Sequence, residues 1–164
     1  MLIQVEVSGD YEPAGIKPSV AQIYMDQQGV NDLCEQLDAL ELPGDHTHNF
    51  SDDWGGSELS LGPKHNPNAH YGHHLELIFF GVGHINAEVE VPGDGRPPGI
   101  VEIHVNARGR DELIRALLSL LPHKKCVAYA TKSFEKIADG VLDGKHQSRD
   151  GMTPLTYLEF CLIP

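Results

Sequence analysis

Apolar and polar residues alternate in two segments near the start of the chain, residues 2–7 and 19–25. Alternation over this length is typical of β-strands that bury one face. From Val30 to Leu40 the apolar residues recur instead at three- and four-residue intervals, which predicts an amphipathic helix that ends at Pro43-Gly44. Three further extended segments are predicted near residues 46–50, 57–61 and 74–81, of which the last is the most apolar.

The second half of the chain repeats this order of elements. When the sequence is shifted by 80 residues, the segment that begins at Val20 lies over the segment that begins at Ile100, and Gly29 meets Gly109. Matches that keep one order and one pattern of elements indicate an internal duplication. The predicted elements are strands near residues 84–92, 99–106, 125–131 and 155–163 and a helix near 110–121, while 133–144 fits either a helical turn or a loop with a short strand.

A helix with one apolar stripe must cover a sheet. We therefore predict an α+β fold of two tandem ββαβββ-like repeats, with largely antiparallel sheet and one helix per repeat packed on it. The link Gly81-Val82-Gly83 is very short, which favours a single compact domain over residues 1–164, made of the pseudo-repeats 1–82 and 83–164. The pattern leaves open whether the strands join into one sheet or pack as two.

Charge differs strongly between the two halves. The 164 residues include 12 basic and 24 acidic side chains, a net charge of −12 with His neutral. Residues 1–82 hold 13 acidic and 2 basic residues, so −11 of that charge belongs to the first half. This excess of acid argues against nucleic acid or an anionic membrane as a partner, because phosphate affinity needs a basic footprint. It favours a basic protein partner.

The N-terminal residues and the cysteines predict a cytoplasmic protein. No signal peptide is visible, and no apolar run reaches the roughly 18 residues of a membrane span. Cys34, Cys126 and Cys161 are odd in number and lack CxxC spacing. We therefore expect three reduced, mostly buried thiols rather than a disulfide framework.

Histidine is frequent, and six of the ten histidines fall in the first half. His46 and His48 share one side of an extended segment, and carboxylates such as Asp45, Asp52 or Asp53 offer further zinc ligands. The spacing matches no specific signature such as HExxH, and the chain has no P-loop, nucleophile elbow or dinucleotide-binding motif. We therefore assign no metal ligand, no cofactor and no catalytic residue.

The most distinctive segment runs from Asp52 to Leu59 and contains the single tryptophan, followed by Gly55-Gly56. Two glycines after an aromatic residue suit a turn or bulge. Trp54 is either a core aromatic that covers the end of the helix or an exposed anchor for a partner, since tryptophan is favoured at interface centres. The candidate partner-binding residues are Asp45, Asp52, Asp53, Trp54 and Glu58.

These segments resemble one known family over roughly residues 1–80. A β-β-α unit followed by His46-Thr47-His48, Asp53-Trp54-Gly55-Gly56, Glu58-Leu59 and His74-Leu75-Glu76-Leu77 is similar to the immunity protein 32 family of bacterial polymorphic-toxin systems. The second half lacks the motif. Ala138-Asp139-Gly140 stands there in place of Trp54-Gly55-Gly56, and Lys124-Lys125-Cys126 is near the position of the His pair.

The resemblance implies a protein without catalytic activity that binds one cognate toxin and blocks it. It also implies that His46, His48, Gly55 and Gly56 mainly hold the fold, so the toxin-facing residues are better sought among exposed acids and Trp54. Carboxylates of the first repeat would then occupy the phosphate positions of a basic, nuclease-like toxin. Two alternatives stay open: a metal-dependent enzyme that uses the His and carboxylate groups, and a non-catalytic module that dimerises along sheet edges.

Overall fold

A computed structural model describes residues 1–12, 15–80, 84–120, 125–132, 138–143, 148 and 150–164. The side chains of residues 10–18 lie outside this description, as do the predicted link Gly81-Val82-Gly83 and residues 133–137 and 144 of the ambiguous stretch 133–144. The described part of that stretch contains a short strand, Gly140–Val141. The described residues form an α+β structure with two helices and two sheets.

Most elements of the first half form close to the predicted positions, but the structure adds a short strand at His70–Gly72 that was not predicted and lacks one that was. The predicted strand at 57–61 is absent, because a 3₁₀ turn over Asp52–Trp54 and a left-handed Gly55 (φ 87°) bend the chain. Leu59 makes only an isolated bridge to Ser51. The elements are β1 (Ile3–Glu12), β2 (Gly15–Met25), α1 (Gln27–Asp38), β3 (His46–Phe50), β4 (His70–Gly72) and β5 (His74–Phe79).

Both helices begin about three residues earlier than predicted, because a capping side chain precedes each one. Asp26 accepts a hydrogen bond from the backbone N–H of Gly29 at 2.7 Å, and Asn106 accepts one from Gly109 at 2.8 Å. The second half contains β6 (Ile85–Glu90), β7 (Ile100–Val105), α2 (Ala107–Leu118), β8 (Cys126–Ala130), β9 (Gly140–Val141), β10 (Met152–Pro154) and β11 (Tyr157–Leu162).

Each sheet contains strands from both halves of the chain. Sheet A has the order β4-β1-β2-β11-β8-β9, and sheet B has the order β10-β6-β7-β5-β3. Pairs within one half are antiparallel, except for β8 with β9, whereas the pairs that join the halves, β2 with β11 and β7 with β5, are parallel. The strands therefore form two mixed sheets, each mostly antiparallel with a parallel pair where the halves meet.

One cluster of buried apolar side chains joins the inner faces of both sheets to the two helices. On α1 the buried positions Val30, Leu33 and Leu37 are those of the predicted apolar stripe, and Leu113 and Leu117 take the same role on α2. Of the helices that the structure describes, neither is long and apolar enough to cross a membrane.

The expectation of three reduced thiols is wrong for one pair. Cys126 and Cys161 lie directly opposite each other on β8 and β11 and form a disulfide. Their separation of 35 residues carries no sequence signature, and only the pairing of the two strands brings them together. Cys34 is free and buried on α1, and burial raises the pKa of its thiol to about 11.

We expect Gly109→Ala to destabilise the protein. A Cβ atom at this position would overlap the carbonyl oxygen of His84, which lies at the close approach of α2 to the start of β6. Overpacking typically costs 1–3 kcal/mol, which outweighs the roughly 1 kcal/mol that Ala gains over Gly in a helix. Chemical denaturation should therefore show a lower free energy of unfolding. Gly93→Ala is the control, because its Cβ atom would meet nothing within 4 Å; equal stability of the two variants would contradict the close approach.

Candidate functional site

The segment Ser51–Glu58, which we call the Trp54 turn, follows β3 and is held by its own backbone. A Cβ atom at Gly56 would overlap Phe50, so only glycine lets the turn lie against the end of β3. The carboxylate of Glu58 accepts hydrogen bonds from the backbone N–H groups of Ser57 at 3.0 Å and Phe50 at 3.3 Å. These N–H groups lower the pKa of Glu58, with Ser57 as the strongest. The main role of Glu58 is therefore to hold the backbone of the turn in place.

Trp54 lies on the surface of this turn and not in the core. Its side chain is 40% exposed, and it is absent from the buried cluster. The indole stacks on the ring of His73, with 5.8 Å between ring centroids and 9° between the planes, and its edge lies against Gly99. The interpretation of Trp54 as a core aromatic is wrong, and the ring is an exposed group in a fixed orientation.

Two exposed carboxylates, Asp52 and Asp53, precede the indole in the same 3₁₀ turn. An oxygen of Asp53 lies 3.9 Å from Nδ1 of His73, and the hydroxyl of Ser51 lies 2.9 Å from that same nitrogen. A hydrolase triad needs its nucleophile and its carboxylate on different nitrogens of the histidine. The Ser51–His73–Asp53 group therefore lacks the geometry for nucleophilic catalysis.

Asp45 lies at the opposite end of β3 from the Trp54 turn. A five-residue strand separates them, about 17 Å at 3.3 Å per residue. Its carboxylate accepts hydrogen bonds from Leu42 at 2.8 Å and Glu41 at 2.9 Å, and these N–H groups lower the pKa of Asp45. An open pocket of about 400 Å³ borders Asp45 and His46. The five sequence-predicted residues thus form one group of four at the Trp54 turn and one remote carboxylate.

A second polar group covers the outer face of sheet B, the face that points away from the shared core. Four residues lie in register across neighbouring strands: His48 is opposite Glu76, Glu76 is opposite Glu102, and Glu102 is opposite Glu88. Residues paired in this way point to the same face of a sheet. The register therefore places three glutamates and a histidine in one row.

The part of this row on β6 and β7 is buried. Glu102 is fully buried and Glu88 nearly so, and Nε2 of His104 lies 3.0 Å from Glu102 and 3.9 Å from Glu88. Burial lowers the pKa of His104, although the neighbouring Glu88 and Glu76 act in the opposite direction. These residues form a buried ionisable group within the sheet.

The part of the row on β3 and β5 is accessible and rich in histidine. His46 and His48 pack edge to face with 4.9 Å between ring centroids, and Nδ1 of His48 lies 2.9 Å from Nε2 of His74. One potential ligand atom from each of His46, His48 and Glu76 lies within 4.8 Å of the others. The structure therefore combines the predicted His pair with Glu76 and His74, and not with Asp45, Asp52 or Asp53.

The sequence interpretation missed the glutamates of this face and His104. Polar residues alternate with apolar ones in the strand segments around Glu88, Glu102 and His104, and this alternation is the signal that marks a polar face. It does not show which strands are neighbours, so it cannot place Glu76 beside Glu102.

Comparison with known proteins identifies no relative: no family model, no curated protein and no solved structure matches this chain.

We expect Glu58→Gln to change how stability depends on pH. The pKa of Glu58 is lowered in the folded protein, so its ionised form stabilises the fold above the ordinary pKa of a glutamate, and this contribution is lost as the pH falls through the folded pKa. The variant should lose roughly 1 kcal/mol of unfolding free energy at pH 7, and the difference should shrink below about pH 4. Denaturation from pH 3 to 7 measures it, with Glu35→Gln on the exposed face of α1 as the control. A difference that stays constant with pH would contradict the role of the carboxylate.

Proposed function

We propose that this protein is an immunity protein that binds a cognate bacterial toxin with fixed stoichiometry and blocks it without catalysis. The observation that carries the proposal is the Trp54 turn, where an exposed indole in a fixed orientation stands beside two exposed carboxylates. The resemblance to the immunity protein 32 family rests on residues of this same turn and of the strands next to it. We place its action in the cytoplasm, where such a toxin would act on the cell. This placement does not rest on the cysteines, because Cys126 and Cys161 form a disulfide.

The physical character of the turn suits tight binding. Tryptophan is among the residues that contribute most at interfaces, and a side chain that is already held in place loses little conformational entropy on binding. Trp54 is held by stacking on His73, and the backbone beneath it is held by Gly55, Gly56 and Glu58. A partner would therefore meet a preformed anchor.

Charge supports a basic partner such as a nuclease-like toxin. Asp52 and Asp53 are exposed beside the anchor, and the whole chain carries a net charge of −12. A negative potential accelerates encounter with a basic surface and disfavours acidic competitors. On a nuclease these carboxylates would take the place of substrate phosphates. Asp45 and Glu58 extend the acidic character, although their carboxylates are already bonded to backbone N–H groups.

We also infer that the chain is a tandem duplication folded as one compact domain. The segment Leu75-Glu76-Leu77 resembles Leu158-Glu159-Phe160, and Ala21 corresponds to Val101 in the 80-residue shift. The register supports the duplication, because Leu75 lies opposite Val101 in sheet B and Leu158 lies opposite Ala21 in sheet A. Gly29 and Gly109, whose N–H groups bond the capping side chains, lie close to Leu2 and His84, which precede the first strand of each half. Cys126 lies opposite Cys161 in the second half, and the corresponding pair in the first half is His46 opposite Ile78. The second copy thus kept the pairing and lost the family motif, which leaves recognition to the first.

The direct test of the class uses the neighbouring gene. We expect the protein encoded directly upstream to arrest growth when it is expressed alone and to be harmless when it is expressed together with this chain. The two purified proteins should form a complex of fixed stoichiometry in size-exclusion chromatography with light scattering. A neighbour that is harmless on its own and forms no complex would overturn the proposal.

The test of the surface uses charge reversal with a matched control. Asp52→Lys combined with Asp53→Lys should weaken binding to that toxin by at least about tenfold, because it replaces attraction with repulsion next to the anchor. Glu35→Lys with Asp38→Lys makes the same change in net charge on the exposed side of α1. Calorimetry measures the toxin affinity of both double variants, and it thereby separates an effect of charge at the Trp54 turn from an effect of net charge alone. Equal affinities for the two double variants would show that the Trp54 turn is not the interface.

A further inference from the structure

We propose that His46, His48 and Glu76 form a binding site for a divalent transition-metal ion, with Zn²⁺ as the reference metal. The site lies at the accessible end of the polar row on the outer face of sheet B. It stands on its own geometry and does not depend on the proposed toxin binding.

The sheet itself assembles the three ligands. His46 and His48 alternate with Thr47 along β3, so both imidazoles lie on the same face. β5 pairs with β3 so that Glu76 is directly opposite His48 and diagonal to His46. Rigid strands hold such a constellation more accurately than loops do. One ligand atom from each residue lies within 4.8 Å of the other two.

The hydrogen bonds around the ligands favour metal binding. Nδ1 of His46 is 2.9 Å from the carbonyl oxygen of Gly44, and because a carbonyl only accepts, this nitrogen carries the proton. Nε2 of His46 then holds a free lone pair. Histidine ligands of metals characteristically have their second nitrogen held by such an outer partner. Nδ1 of His48 lies 2.9 Å from Nε2 of His74, so His74 holds the ring of His48 in place.

The chemistry of the ligand set indicates the class of metal. Two imidazoles and one carboxylate match zinc and related transition metals, whereas Mg²⁺ and Ca²⁺ prefer oxygen ligands only. Three protein ligands leave a further coordination position for water or for a group of another molecule. His48 is 40% exposed on its side chain and Glu76 is 13% exposed, so an ion can enter from solvent. Glu102, directly opposite Glu76 on the next strand, adds a carboxylate that favours a cation.

The location gives the metal a structural consequence. β3 is the edge strand of sheet B, and the ligands lie on β3 and β5, so a bound ion ties the edge to its neighbour. His74 and Phe50 continue the contact toward the Trp54 turn, with 4.4 Å between their ring centroids and 6.5 Å from His74 to Trp54. An ion that binds only the folded state should therefore also raise the melting temperature.

The experiment uses the full chain without an affinity tag, stripped of metal. All buffers are free of reducing agents, so that Cys126 and Cys161 stay paired. Equilibrium dialysis against Zn²⁺ followed by metal analysis, together with calorimetry, should find one Zn²⁺ per chain at this site and a higher melting temperature. Loss of an outer partner of a metal ligand typically weakens metal affinity 10–100-fold, and loss of a ligand itself should weaken it more. Since His46 and Glu76 are proposed as ligands, we expect His46→Ala and Glu76→Gln each to weaken Zn²⁺ affinity by more than about 100-fold.

The matched control is His65→Ala, which removes an exposed histidine that stacks on Tyr24 over sheet A. It should leave Zn²⁺ affinity unchanged. His46 is exposed and Glu76→Gln is nearly isosteric, so circular dichroism should show both variants folded. Affinity that survives both substitutions, affinity that disappears only with Glu102→Gln in the buried part of the row, or equal binding of Mg²⁺ would overturn the site.

Discussion

The parallel pairing of β5 with β7, and of β11 with β2, is the interaction on which the rest of this structure depends. Each of these pairs joins a strand of one half of the chain to a strand of the other. Antiparallel neighbours can be joined by a short turn, but parallel ones need a longer crossover. In this chain β6 lies between β5 and β7, and all the elements from α1 to β10 lie between β2 and β11. The two helices connect the sheets, since α1 leads from sheet A to sheet B and α2 leads back. The apolar stripes of the helices and the inner faces of both sheets then share one core.

The same pairing decides the chemistry of the outer faces. In sheet A the row contains Glu6, Gln22 and Glu159, and the amide of Gln22 donates to Glu159 at 2.8 Å. Glu6 is buried, and its carboxylate accepts hydrogen bonds from the backbone of His65 and Asn66. An amide between two carboxylates separates their charges and satisfies one of them, so this face is a stable polar network.

In sheet B the corresponding row contains Glu76, Glu102 and Glu88. A third carboxylate replaces the amide, and His104 lies 3.0 Å from it. The edge of the row adds His48 opposite Glu76. One framework therefore carries a network of fixed hydrogen bonds on one sheet and a row of ionisable groups on the other. This difference, together with the exposed indole of the adjacent turn, concentrates the candidate functional chemistry on sheet B.

The distribution of charge along the chain does not translate into one side of the molecule. Nearly all the net charge belongs to residues 1–82, which would form one acidic side if the two halves folded separately. β1, β2 and β4 of that half lie in sheet A, whereas β3 and β5 lie in sheet B. Among the acidic residues of that half, Glu6 lies in sheet A, Glu76 lies in sheet B, and three more lie on α1, namely Asp32, Glu35 and Asp38. The Trp54 turn is therefore one acidic surface among several.

Local patterns along the chain were sufficient for most of the fold. Helical spacing located α1 and α2, and alternation placed His46 beside His48 on one face of β3. The strand expected at 57–61 failed because Gly55 adopts a left-handed conformation that hydrophobic spacing does not reveal. The sequence did not reveal Glu76 as the partner of His48 or the Cys126–Cys161 disulfide, and it left open whether Trp54 is buried or exposed. Each depends on a neighbour that is distant in sequence.

The sequence by itself determined most of the elements, their order and their apolar faces, because helix spacing and strand alternation act between near neighbours. It also contains the internal similarity from which we infer a duplication, and the residues of the motif. Only the tertiary structure decided which strands are neighbours, and thereby which polar side chains meet. The physical reason is that alternation sets the face on which a residue lies, whereas register across a sheet comes from the packing of the whole core.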